Sequence, residues 1–462
     1  LDLPIKELSM KITILLSAIA IILFDCTSKN QHTTQEKGVA KVQLTEDSLL
    51  NLVQYQTFQY FWDGAEPSSG MARERLHMDN IYPHHGPEVI TSGGSGFGLM
   101  AILVGIERGF ITRVQGLERF EKIVNFLDTA DSFHGVWPHW WNGETGKVVA
   151  FSKKDNGGDL VETAFLAQGL LTVRQYFKDG DEREQELARR ANKLWKNIEW
   201  NWHTRGGEHV LYWHWSPEYG WDMNFDVRGY NECLIMYVLA ASSPTYPIDA
   251  EVYHDGWAQA GKIKSDQEYL GYQTVLNHYE TDDSPVGPLF WAHYSYLGLN
   301  PQGLSDAYAD YWKLNQNHAL IHYQHCLNNP NGFEGYGKKC WGLTSSYSLK
   351  GYAGHRPDKD LGVISPTAAL SSFPYTPEQS MAFLKFLYND ADSLVGKYGP
   401  YDAFSLEHNW YLPRYLAIDQ GPIPVMIENY RTGLVWDLFM SCPEIQEGLA
   451  KLGFKSDTIA DL

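Results

Sequence analysis

Apolar residues recur at helical spacing along most of this chain, and a few stretches carry no polar face at all. Leu49, Leu50, Val53, Phe58, Phe61 and Trp62 fall near one helical face, as do Leu99, Ile102, Leu103 and Ile106. The same period predicts helices over 114–130, 160–177, 184–198, 230–241, 249–262, 305–315, 317–327, 377–388, 423–440 and 443–452. That makes roughly a dozen, with ends good to a few residues. The segments 229–241 and 423–440 are apolar nearly all round, the composition of a helix covered on both sides. Alternation of such segments with amphipathic ones predicts an all-α fold of two concentric rings, an α/α toroid. In such a ring the starts of the inner helices and their loops line a single cavity. A stacked solenoid would need a fixed-period repeat, and the sequence has none.

The pattern changes at the N-terminus. Met10-Lys11 precedes the apolar run Ile12 to Phe24, too short to span a bilayer but suited to a signal-peptide core. Cys26 follows in L-F-D-C, which resembles a bacterial lipoprotein processing site, although Asp25 departs from the usual small residue. Residues 1–26 are therefore expected to be an export leader with Cys26 lipidated. The polar, aperiodic stretch 27–44 is expected to be a flexible linker. Residues 45–462, uninterrupted by any Pro/Gly/Ser linker, read as one domain. The expected location is periplasmic or on the outer membrane, with membrane contact only through the lipid.

Composition narrows the partner. Aromatics are 14% of the 462 residues, with 16 Trp, 28 Tyr and 20 Phe, and so many rings imply partly exposed faces that stack on flat ligands or sugars. A net charge of −19 argues against a polyanion, and the one basic patch, Arg183 to Lys196, alternates with acids as a solvated helix face does. Nucleic acid is excluded as a partner and a neutral substrate fits best. The cysteines Cys233, Cys326, Cys340 and Cys442 form no C-x-x-C pair, and a domain of this size does not depend on disulfides.

Acids at helix starts carry the candidate chemistry. In G-G-D-L-V-E-T, Asp159 and Glu162 fit a capping box, with Asp159 as N-cap and Glu162 reaching back, and equally fit carboxylates aimed into a cavity. Both can hold at once. In G-Y-N-E-C, Glu232 precedes the apolar run Cys233 to Tyr237, which would raise its pKa as a general acid requires, while a helix start would lower it. In A-I-D-Q-G-P, Asp419 or its neighbour is a natural cap before Pro422, and an ionised carboxylate at Asp419 suits a general base. Glu428 and Arg431 are spaced for a structural salt bridge.

Other motifs are absent. His318 and His322, with His325, Cys326 and Cys340 nearby, lack the Glu of H-E-x-x-H and a closing C-x-x-C, so no metal is expected. His77, His84 and His85 read as loop residues. Gly93-Gly94-Ser95-Gly96 matches no phosphate motif and reads as a tight turn before a helix. No cofactor is expected.

Taken together, Y-F-W-D, W-P-H-W, G-G-D-L-V-E-T-A-F-L, G-Y-N-E, C-W-G-L-T, G-V-I-S-P-T-A-A-L-S-S-F-P-Y-T-P, A-I-D-Q-G-P and I-E-N-Y-R-T-G-L-V-W resemble the bacterial glucoamylase-like domain family. More narrowly they resemble glycoside hydrolase family 144, the β-1,2-glucanases, over about residues 45–455. The resemblance implies an (α/α)6 toroid and inverting hydrolysis of β-1,2-glucan. It implies Glu232 as general acid and Asp419 as base, with Asp159 a competitor for that role and Asp155, Asp159 and Glu162 lining the same cleft. Inversion needs the two carboxyl groups roughly 6.5–9.5 Å apart, leaving room for a water. Trp137, Trp141, Trp213, Trp215 and Trp341 are candidate stacking platforms. His139, Tyr336, His355, Arg356 and Asn409 are candidate polar contacts. The rival readings are a non-catalytic glycan-binding lipoprotein, a polysaccharide lyase, and a hydrolase of another glucan; only the convergent acids separate catalysis from binding.

Overall fold

Helices without a polar face end up in the middle of this molecule. The computed structural model describes residues 44–278 and 285–456. The leader, Cys26 and all of the linker but Leu44 lie outside the described residues. Ser92–Glu107 is buried from its first residue to Gly105, Leu160–Phe177 is buried except at Tyr176, and Leu234–Ser242 is buried throughout. Ser92–Glu107 lies along Leu160–Phe177, which lies against Leu234–Ser242. Pro422–Thr432 packs on both Ser92–Glu107 and the short Pro366–Leu370 helix. Gly96 and Gly169 let the first two approach backbone to backbone: a Cβ on Gly96 would sit 2.1 Å from the Phe165 carbonyl oxygen.

Amphipathic helices cover these from outside. Glu46–Trp62 backs onto Ser92–Glu107 and Pro422–Thr432, Arg113–Leu127 and Glu182–Lys196 pack on each other, and Pro377–Lys385 covers Pro366–Leu370. Capping boxes start two of them, Thr112 with Gln115 and Asp181 with Glu184. Their charges pair between the two helices, Arg183 with Glu121 and Arg190 with Asp128, and within one, Arg189 with Glu186. No helix among the described residues is long and apolar enough to cross a membrane.

Several elements differ from expectation. The predicted 423–440 helix is two, Pro422–Thr432 and Leu434–Met440, because Gly433 adopts φ +77° between them. The predicted 305–315 and 317–327 helices are one, Tyr311–Asn328, capped by Asp310. The 249–262 segment forms only short irregular turns. The 230–241 helix starts late, at Leu234, and leaves Glu232 in the preceding turn. The chain is predominantly helical, but its aromatic loops hold short antiparallel ladders that matter for the site. Gly158–Asp159 pairs with His214–Trp215, Val89–Thr91 with Trp140–Asn142, Arg75–His77 with Arg414–Leu416, and Ser345–Ser348 with Gly351–Gly354.

Candidate active site

The ladder of Gly158–Asp159 with His214–Trp215 sets Asp159 directly opposite His214 and begins a cluster of acids and imidazoles. Asp159 Oδ1 caps the Leu160–Phe177 helix, accepting from the Glu162 amide at 2.9 Å. Its Oδ2 lies 3.0 Å from His139 Nδ1 and 3.5 Å from His214 Nε2. Asp155 Oδ2 lies 3.6 Å and 3.4 Å from the same two nitrogens. Burial alone would raise Asp159, but contacts with His139 and His214 hold it well below the usual carboxylate range. Asp155 is likewise lowered by the two imidazoles against its burial. Burial disfavours a charged His139, yet Glu162, Asp155 and Asp159 outweigh it and raise the ring's pKa. His214 is raised to about 9 against its burial by the two aspartates. Two imidazolium ions therefore neutralise two carboxylates at neutral pH.

Glu162 completes only half of the expected capping box. Its backbone takes the cap, while its carboxylate turns away and accepts from the Gly93 amide at 2.8 Å. Gly93 is thus a point of close approach: a Cβ there would meet Glu162 Oε2 at 2.4 Å. Burial pushes Glu162 up to about 7; His139 and the Gly93 amide oppose this, and Asp159 and Asp155 add to it.

Glu232 sits two residues before its helix, after Gly229 at φ +74°. Asn231 Oδ1 accepts from the Cys233 amide, and the Ser295 hydroxyl donates to the Glu232 carbonyl, so the turn is fixed at both ends. Loss of hydration pushes the Glu232 carboxyl up to about 7; its own backbone amide opposes this, and Glu162 and Asp159 add smaller repulsions. Of the two opposing influences weighed from the sequence, desolvation wins over the helix start. Tyr294, next to Ser295, packs its ring on Phe97 and Phe165, and the charges of Asp419, Glu232 and Glu162 all act on its hydroxyl. Acids from three distant segments thus lie within electrostatic reach of one tyrosine.

Asp419 departs from expectation. It caps no helix: Gly421 is the N-cap of Pro422–Thr432, and Asp419 lies inside the short turn Ala417–Gln420. No backbone or neutral side-chain donor reaches either of its oxygens, both closed off from solvent. What faces it is Asp402, and burial plus that second carboxyl raise Asp419 well above the carboxylate range. Asp402 accepts from the Tyr347 amide at 2.7 Å and is itself pushed up to about 6 by burial. Burial and the second carboxyl thus both favour the protonated form of Asp419. Asp402, in Y-D-A-F, escaped the sequence reading because it marks no helix start and belongs to no motif.

The aromatic expectations divide. Trp141 and Trp341 are fully buried, with indole N–H groups donating to the Asp131 carbonyl at 2.9 Å and the Gln379 carbonyl at 3.2 Å, so neither is a platform. Trp137 is also buried, and its contribution is backbone: its carbonyl accepts from the Asp159 amide at 2.9 Å. Trp215 is half-buried, edge-on to His134 and Trp202. Trp213 stacks on Phe225 at 5.1 Å. The rings that do expose faces were not singled out: Phe151, 50% exposed and stacked on His139 at 4.2 Å, Phe225 at 48%, and Tyr352 at 55% on the 345–354 hairpin.

Among the polar expectations, His139 joins the acid cluster and His355 is fully buried. Tyr336 donates to Asp360 at 2.8 Å, and Arg356 pairs with Asp358. Arg356, Asp358 and Asp360 line a cavity of about 650 Å³ that none of the acids above lines. Asn409 is an exposed turn residue at φ 44°. Glu428 pairs with Arg108 at 2.6 Å, not with Arg431, which reaches Asp47 instead. Cys233, Cys326, Cys340 and Cys442 are free thiols. His318 and His322 both bond the Gly287 carbonyl, at 2.9 Å each. Among the described residues the donor set nearest to a divalent-cation site is His139 with Asp155 and Asp159.

Paired carboxyl groups in unlike surroundings, beside exposed aromatic rings, are what glycoside hydrolysis requires. The comparisons are specific. The family description "Putative glucoamylase" matches residues 224–443. The chain is 62% identical to an endo-β-1,2-glucanase from Chitinophaga pinensis, solved with sophorotriose and glucose, covering 90% of this chain and 100% of that one with a TM-score of 0.88. It is 44% identical to an exo β-1,2-glucooligosaccharide sophorohydrolase of Parabacteroides distasonis over 93% of this chain, and spans 61% of that relative's length. An endo-β-1,2-glucanase from Talaromyces funiculosus, at 11% identity over 88% of this chain and 92% of that one, with a TM-score of 0.62, shares the fold alone. The chain belongs to the bacterial glucoamylase-like family, and its relatives are consistent with glycoside hydrolase family 144.

Proposed function

We propose that this chain is an exported hydrolase that cleaves β-1,2-glucan with inversion at the anomeric carbon, in an (α/α)6 toroid whose inner-helix starts carry the acids. The observation that carries the reading is Glu232: a half-buried carboxyl raised to about 7 and held in a fixed turn, beside further acids, in a chain 62% identical to an endo-β-1,2-glucanase. Glu232 gives its proton to the departing glycosidic oxygen, and Asp419 is on the side that removes a proton from the attacking water. Asp155 and Asp159, held ionised by His139 and His214, shape the field in which Glu162 and Glu232 keep their protons. The apolar run and Cys26 support export and lipid anchoring, which labelled fatty-acid incorporation into the parent but not into Cys26→Ala would bear out.

The decisive experiment incubates the chain with linear β-1,2-glucan and follows products and anomeric configuration by NMR. The α-anomer should appear first, and Glu232→Gln should lower kcat at least about 100-fold with folding intact. Initial release of the β-anomer, or near-parental rates from the variant, sinks this reading.

A further inference from the structure

A base must be able to take up a proton, yet Asp419 is buried opposite a second carboxyl with no donor on either oxygen, a setting that favours its protonated form. Neither Asp419 oxygen has a backbone or neutral side-chain donor, and both are out of solvent contact. The group opposite is the Asp402 carboxyl, and two carboxyl groups in hydrogen-bonding contact require a proton between them. The charge of such a pair settles on the partner with better donors. Asp402 Oδ2 accepts from the Tyr347 amide at 2.7 Å, and the Arg75 guanidinium acts favourably on it. The ladder that carries Arg75 continues directly into the Asp419 turn through Leu416. The other groups facing the pair are Glu74, Tyr294, Tyr347 and Tyr352, none of which donates to Asp419.

We propose that the base of this site is a carboxyl–carboxylate dyad in which Asp419 donates its proton to an ionised Asp402, making Asp402 a positioning residue for the reaction. The inference rests on the hydrolytic reading above. As the anomeric carbon–oxygen bond to the leaving sugar breaks, water forms the new bond, and its proton passes, directly or by relay, to one oxygen of Asp419. Asp419 simultaneously hands its own proton to Asp402 across the other oxygen. The dyad starts as a monoanion and ends neutral, while Glu232 ends ionised, having protonated the leaving oxygen.

The test uses Asp402→Asn and Asp419→Asn in the full chain, with Glu232→Gln beside them, each checked by its thermal unfolding curve. Asp419→Asn should lose at least about 100-fold in kcat. Asp402→Asn should keep measurable turnover because Asp419 becomes an ordinary ionisable base. Its acid limb should shift upward by about half a pH unit or more, since an amide stabilises the neighbouring carboxylate less than a carboxylic acid does. An unmoved limb in Asp402→Asn, or parental turnover in Asp419→Asn, overturns the dyad. A readout without substrate separates the two readings: carbon-13 carboxyl shifts of the labelled aspartates, assigned by difference with the two variants. One of the pair should ionise near pH 6 and its partner only at clearly higher pH. Both ionised at pH 7 refutes the dyad whatever the enzyme does. Absent activity with the expected shifts refutes only the hydrolytic reading.

Discussion

The amide of Gly93 donates to Glu162 Oε2 at 2.8 Å, tying together the first turns of two buried helices 69 residues apart in sequence. The bond keeps Glu162 from closing the capping box its position would allow and turns it toward the acid cluster. The same close approach explains why a glycine stands there.

Gly93→Ala tests that arrangement. The new Cβ would lie 2.4 Å from the carboxylate oxygen and 3.0 Å from the Phe165 ring, so something must move. Chemical denaturation should register a loss of about 1–3 kcal/mol, together with lowered kcat. Unchanged stability would mean that the two helix starts are not held together as described.

His214 contributes through its charge. Its folded pKa of about 9 lies above the unfolded value of about 6.5, so its stabilisation is complete below about pH 6.5 and fades as pH rises through 9. His214→Gln should therefore cost about 3 kcal/mol at pH 6, and the deficit should narrow steadily toward pH 9. A deficit independent of pH would show that only packing had been lost.

His293 works in the opposite sense. Burial lowers it to about 3, and its Nε2 contacts the Ser372 hydroxyl at 3.0 Å. The unfolded chain takes up a proton here from about pH 6.5 downward while the folded chain does not, so the wild-type residue becomes a liability in acid. Relative to the parent, His293→Asn should be destabilised at pH 7.5, with the gap closing by about 1.4 kcal/mol per pH unit below 6.5. Urea midpoints at pH 7.5, 6 and 5 measure it.

Phe151 and Phe225 present ring faces beside the imidazoles that hold Asp155 and Asp159. Replacing Phe225 by Ala should raise KM for β-1,2-glucan about fivefold, the scale of one stacking contact near 1 kcal/mol, with a smaller effect on kcat. If KM stays at the parental value for both Phe225→Ala and Phe151→Ala, these rings are not where the sugar rests.

Much of this arrangement is legible along the chain. An inner helix announces itself where a segment covered on all sides needs no polar face, as Leu234–Ser242, within the predicted 229–241, shows end to end. The acid motifs are visible because helix starts favour carboxylates. Exposure of aromatic rings is not legible in the same way. Trp141 and Trp341 look like platforms in W-P-H-W-W and C-W-G-L, yet both are core residues whose N–H groups find distant carbonyls. Phe151 and Phe225, in unremarkable loop sequence, carry the exposed faces.

The sequence by itself determined that the domain is mainly helical, where most of its long helices run, and which family the chain joins, because periodicity and contiguous motifs are local properties of the chain. Only the tertiary structure decided the protonation states. The pKa of Asp159 is held low because His139 and His214 arrive from two other loops, that of Glu232 is raised to about 7 by lost hydration and nearby acids, and that of Asp419 is raised by burial and by Asp402 beside it. A carboxyl group's charge depends on the solvent it has lost and the donors it has gained, and those come from parts of the chain that meet only when it folds.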